Sequence, residues 1–74
     1  MIDEKTMMKD NMVAKLALFL IEDEEASTMP EAISAVINSE TYLLLQKDNT
    51  GLYYQSPRYV YDFLINEIRE GKAK

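Results

Sequence analysis

The sequence predicts a small all-α domain of three to four helices, with a turn and a short irregular segment at 47–56. Three observations predict it. Apolar residues recur at helical spacing through 7–25 and again through 57–70. Helix-start signatures stand at Thr28-Met29-Pro30-Glu31 and Ser56-Pro57. The 74 residues contain neither cysteine nor histidine, so no disulfide or thiolate site can brace the fold. A chain this short buries only about 60% of the surface its unfolded form exposes. Well-packed helices or self-association must then supply the stability.

Residues 1–6 are polar and are expected to fray. From about Met7 to Glu25 the pattern is helical, with Val13, Leu16, Ala17 and Leu20 on one stripe. Met8, Met12 and Phe19 widen the stripe, and Leu18 and Ile21 extend it round the helix. Such a helix has to be covered on more than one side, as a central helix or against a second copy. It ends in Glu22-Asp23-Glu24-Glu25, four acids opposing the helix dipole.

Thr28 with Glu31 forms a capping box, and Pro30 suits the first helical turn, where its missing N–H is not needed. A helix from about Met29 to Asn38 follows, with Ala32, Ile33, Val36 and Ile37 on one face. Ser39 can cap the next helix, Glu40 to about Lys47. Lys47-Asp48-Asn49-Thr50-Gly51 reads as a turn, with Gly51 the residue suited to positive φ. The alternative is an α+β fold in which a β-hairpin spans 41–55. The run Leu43-Leu44-Leu45 is a poor strand former and a lone hairpin is marginal, so the helix leads. Ser56 as N-cap and Pro57 at the first position start the last helix. Its core face is read as Val60, Phe63, Leu64 and Ile68, with Tyr61 and Ile65 on the flank. Gly71 is read as its end, and 72–74 as disordered. The whole chain, 1–74, is one domain.

The formal net charge is −5. It opposes nucleic-acid binding and docking on anionic membranes, both of which need a basic surface. Nine acids and three bases lie in residues 1–40, against four acids and five bases in 41–74. That asymmetry can orient a basic partner or a head-to-tail self-contact. The apolar run Leu16 to Ile21 is too short to span a membrane. No signal-peptide cleavage site follows the N-terminal flank, so a cytoplasmic protein is expected.

Little here suggests chemistry. The commonest general base and the strongest nucleophile are absent. Gly51 and Gly71 stand alone rather than in a phosphate loop. Asp48-Asn49-Thr50-Gly51 lacks the alternating ligands and closing glutamate of a calcium loop. The chain is therefore read as a non-enzyme with no cofactor, no metal and no small-molecule substrate. All five tyrosines fall between Tyr42 and Tyr61. Tyr42 and Tyr61 are assigned to the core boundary. Tyr53 and Tyr54, adjacent on an extended segment, should point to opposite sides. Exposed tyrosine beside arginine is the composition of binding hot spots. Tyr53, Tyr54, Arg58 and Tyr59 form one candidate contact patch, and Glu22, Asp23, Glu24 and Glu25 a second.

The string Ser39-Glu40-Thr41-Tyr42, Leu45, Thr50-Gly51-Leu52-Tyr53, Ser56-Pro57, Tyr59-Val60-Tyr61, Leu64 and Glu67 resembles a pattern in short bacterial proteins of the domain-of-unknown-function kind, over residues 12–70. The resemblance implies a bacterial protein in an antitoxin-like or accessory binding role, and carries over no functional residue. The leading expectation is a protein–protein interaction module that self-associates. The alternative is a small nucleic-acid-associated regulator working through Arg58, Arg69, Lys72 and Lys74.

Overall fold

The computed structural model describes residues 4–70, and its order is α1 (Glu4–Glu22), α2 (Met29–Ile37), α3 (Glu40–Gln46), two single 3₁₀ turns (Asp48–Thr50 and Leu52–Tyr54) and α4 (Pro57–Arg69). There is no strand among the described residues. The all-α reading holds, and the hairpin alternative at 41–55 does not form. The two 3₁₀ turns hinge on Gly51, whose φ of 68° is left-handed, as expected of that glycine. Tyr53 and Tyr54 thus lie on a tight turn rather than on an extended segment.

Helix α1 is the central element. It packs most extensively on α2 and also touches α4, the 52–54 turn and α3. Its buried residues are Met12, Leu16, Ala17 and Leu20. Ala26 before α2, Ala32 and Val36 of α2, Leu45 of α3, Leu52 and Tyr53 of the second turn, and Val60, Tyr61, Leu64 and Ile65 of α4 complete the core. Leu16 is wholly buried at the middle of this cluster. Truncating it to alanine costs about 2–5 kcal/mol, the range for a buried leucine that leaves a cavity.

The ends of α1 differ from the sequence reading. The helix begins at Glu4, so Glu4, Lys5 and Thr6, expected to fray, are helical. Lys5 and Lys9 bind the Asp48 carboxylate at 3.4 and 2.8 Å, which holds this first turn against the 48–50 segment. At the other end the helix stops at Glu22, and the chain closes with a Schellman-type turn. The Glu25 N–H donates to the Leu20 carbonyl (2.8 Å) and the Glu24 N–H to that of Ile21 (3.0 Å). Glu24 takes the left-handed position, φ 64°. Glu22 therefore ends the helix, and Asp23, Glu24 and Glu25 form the turn that closes it, where the sequence reading carried the helix to Glu25.

The cap of α2 follows the sequence in part. The Glu31 N–H donates to Thr28 Oγ1 (3.3 Å), but the Glu31 carboxylate reaches one residue further back and accepts from the Ser27 N–H (3.0 Å). Asn38 is the C-cap of α2. Ser39 caps α3 by accepting from the Tyr42 N–H (3.0 Å), and its own hydroxyl donates to the Val36 carbonyl (2.6 Å). Ser56 caps α4 through the Tyr59 N–H (3.2 Å). Helix α4 ends at Arg69 with Glu70 as C-cap. Gly71, read as its end, and 72–74, read as disordered, lie outside the described residues, as do 1–3.

Two core assignments are corrected. Phe63 is exposed, and Tyr61 and Ile65 are buried in its place. At about 100° per residue, Val60, Leu64, Ile68, Tyr61 and Ile65 share an arc of about 140°, and Phe63 falls about 60° outside it. Ile37, placed on the α2 core face, is exposed at 46%. Among the described residues, no helix is long and apolar enough to cross a membrane.

Candidate functional site

The eight residues proposed for contact do not make two patches. Tyr53 is buried at 5% exposure while its neighbour Tyr54 stands 69% exposed, their rings stacked 4.6 Å apart. The sequence reading of one tyrosine in and one out holds for their burial, but the rings lie side by side rather than on opposite sides. The pair borders a shallow groove of about 260 Å³ lined also by Met8, Met12, Lys15 and Pro57. Arg58 leaves this neighbourhood. Its guanidinium lies 4.3 Å from the Phe19 ring centroid and 5.5 Å from that of Tyr61. It covers the α1–α4 seam as a cation over aromatic faces. Tyr59 turns the other way and meets Phe63 edge-on, with centroids 5.3 Å apart.

The acidic run is divided too. Asp23 accepts the Tyr61 hydroxyl at 2.7 Å. Burial, and then this bond, push the Tyr61 phenol well above its ordinary value. Glu25 pairs with Arg69 of α4 at 3.5 Å. Asp23 and Glu25 thus tie the end of α1 to α4, and Glu22 and Glu24 are left as exposed carboxylates. Of the C-terminal bases, Arg58 and Arg69 are both engaged within the fold, and Lys72 and Lys74 lie outside the described residues.

A face the sequence did not single out lies between α3 and α4. Leu44 (42% exposed), Phe63 (45%) and Tyr59 (48%) are three large apolar side chains close together on the surface. Leu44 and Phe63 line a groove of about 230 Å³ with Glu40, Thr41, Asn66, Glu67 and Glu70. Glu67 is one of its lining residues. One carboxylate oxygen accepts from the Glu40 N–H (2.7 Å), and the other from the Thr41 N–H (3.1 Å) and hydroxyl (2.9 Å). No lining residue is basic. The sequence held a signal for this face. Three consecutive leucines cannot all turn inward from one short helix, and α3 buries only Leu45 of them. Phe63 likewise falls outside the arc that α4 buries.

A third groove of about 250 Å³ lies between α1 and α2, lined by Val13, Ala14, Ile33, Ile37 and Tyr42, with Asp10 its only charge. All three grooves fall below the roughly 300–1,000 Å³ of typical small-molecule sites. Among the described residues, no three carboxylates converge as they would for a metal ion, and no buried side-chain polar atom lacks a hydrogen-bond partner.

No protein-family model, no curated protein and no solved structure matches the chain.

Proposed function

We propose that this chain is a protein–protein interaction module of the bacterial cytoplasm, serving as an accessory or antitoxin-like protein, and that it docks a partner on the α3–α4 face. The observation that carries the reading is the grouping of Leu44 and Phe63 on one groove with Tyr59 packed edge-on against Phe63, each more than two-fifths exposed. Single exposed apolar side chains are ordinary, whereas a grouped patch marks a contact surface. Aromatic residues are enriched at such surfaces. The groove is sized for a side chain of a partner rather than for a metabolite.

Self-association is the second part of the reading, and the α1–α2 groove supports it. That surface joins Ile33 and Ile37 to Val13 around a single carboxylate, so two copies can meet there with little charge repulsion. Sedimentation equilibrium tests the self-association, and peptide titration tests the docking. Wild type is expected to form a dissociable dimer that Ile37→Glu abolishes and Phe63→Glu leaves intact. A wild-type chain that stays monomeric at every concentration removes self-association from the reading. If, in addition, no peptide perturbs Leu44 and Phe63, the interaction-module reading falls.

A further inference from the structure

We propose that the partner of the α3–α4 face is a basic amphipathic helix, seating an apolar side chain between Leu44 and Phe63 and placing lysine or arginine over Glu40 and Glu70. This rests on the reading of the face as a docking surface, and adds what it binds. The argument starts from shape. Tyr59, Phe63, Asn66 and Glu70 follow one another at i, i+4, i+7 and i+11 along α4. They form a ridge about 16 Å long at 1.5 Å per residue. A stripe of alternating four- and three-residue steps is the seam along which a second helix packs. The described residues contain no strand, so the face has no free sheet edge to which an extended peptide could add.

The charge selects the partner. Glu40 and Glu70 line the groove, and Asp62 lies on the exposed side of α4 next to Phe63. Among the described residues, the ion pairs engage Asp48 and Glu25 and leave Glu40, Asp62 and Glu70 without a base. Of the six bases among the described residues, four are held within the fold, and the other two, Lys15 and Lys47, do not line this groove. Lys5 and Lys9 are engaged by Asp48, Arg69 by Glu25, and Arg58 by the Phe19 ring. A two-fold dimer on this face would also set like patches against each other, acid against acid. A separate chain carrying lysine or arginine beside its apolar stripe satisfies both features, and opposite potentials favour its encounter.

The test uses the whole chain, labelled with nitrogen-15, and two synthetic helical peptides of about 18 residues, five turns. Both carry the same leucine stripe; one has lysine on its flanks and the other glutamate. The lysine peptide is expected to shift the amides of Glu40, Leu44, Phe63 and Glu70. Its affinity should fall about threefold or more between roughly 50 and 300 mM salt, as exposed charges are screened. Phe63→Ser should abolish the shifts. The pair Glu40→Gln and Glu70→Gln should remove most of the salt dependence, and Glu22→Gln with Glu24→Gln should change nothing. Equal binding of the glutamate peptide at the face overturns the choice of a basic partner and leaves the docking reading standing. Lysine-peptide shifts spread over Glu22 and Glu24 as strongly as over Phe63 show unspecific attraction, and overturn the proposal. Silence from both peptides overturns it as well, and sedimentation then decides whether the module reading survives.

Discussion

One oxygen of the Glu67 carboxylate accepts both the backbone N–H (3.1 Å) and the hydroxyl (2.9 Å) of Thr41, so α4 supplies a cap for α3. A helix of seven residues cannot stand on its own propensity. Its first N–H groups are satisfied jointly, by Ser39 from its own chain segment and by Glu67 from 26 residues away. Glu67→Ala strands the donors of Glu40 and Thr41 and is expected to cost about 1–3 kcal/mol. Glu67→Gln keeps an acceptor and should cost less. Urea unfolding at neutral pH measures both. An alanine variant as stable as wild type would show that water replaces the cap at no loss.

Glu24 holds a left-handed φ of 64°, the place a Schellman turn ordinarily gives to glycine. A side chain with a Cβ is strained there by about 1 kcal/mol. Glu24→Gly is expected to raise stability by about 0.5–1 kcal/mol, partly offset by the greater freedom of glycine in the unfolded chain. Gly51 makes the opposite case. A Cβ at Gly51 would meet only the edge of Tyr54 at 3.9 Å, so Gly51→Ala loses stability through its φ of 68° and not through a clash. Thermal unfolding of the two variants should move in opposite directions. Movement in the same direction would refute the backbone argument at one of the sites.

These two features also mark how far the sequence could be read. Thr28, Ser39, Ser56 and Gly51 each act on residues within a few positions, and each was legible. The cap of α3 by Glu67 and the bond from Tyr61 to Asp23 join residues 26 and 38 positions apart; no local pattern encodes them. The same distance in sequence explains the misplaced contact patches. Arg58 sits beside Tyr59 in the chain, yet one helical step of about 100° sends it over Phe19 and sends Tyr59 to Phe63. Apolar character alone places Phe63 in the core, because it does not say which arc of α4 the central helix covers.

Tyr61 is buried with its hydroxyl on Asp23, and its phenol titrates above the ordinary value of 10.0, first through burial and then through the Asp23 bond. A folded-state pKa above the unfolded one gives a contribution that is fully present below pH 10.0 and is lost as pH rises through the folded value. Tyr61→Phe removes the bond without emptying the core. It is expected to cost about 1 kcal/mol at neutral pH. Above about pH 10 the gap between wild type and variant should narrow, because only wild type has a phenol to ionise. Urea midpoints across that range measure the gap. A constant gap would mean that the phenol does not feel its burial.

Asp48 behaves in the opposite sense. The Lys9 ammonium donates to its carboxylate at 2.8 Å and to the Gln46 carbonyl at 2.9 Å, and Lys5 adds a contact at 3.4 Å. The hydrogen bond from Lys9, then that from Lys5, hold the Asp48 carboxyl below its ordinary 3.8. A depressed folded-state pKa gives a contribution that is present above pH 3.8 and lost as pH falls through the folded value. Asp48→Asn should therefore be less stable than wild type at neutral pH, and the difference should shrink as pH falls below 3.8 and vanish below the depressed folded value. The site is open to solvent, so salt should shrink the difference as well. Lys9→Met should weaken the fold more than Lys5→Met, because Lys9 alone also closes the carbonyl end of α3. Thermal midpoints of the three variants, taken at neutral and acid pH and at two salt concentrations, test this, and equal effects at Lys5 and Lys9 would remove the helix-capping role from the account.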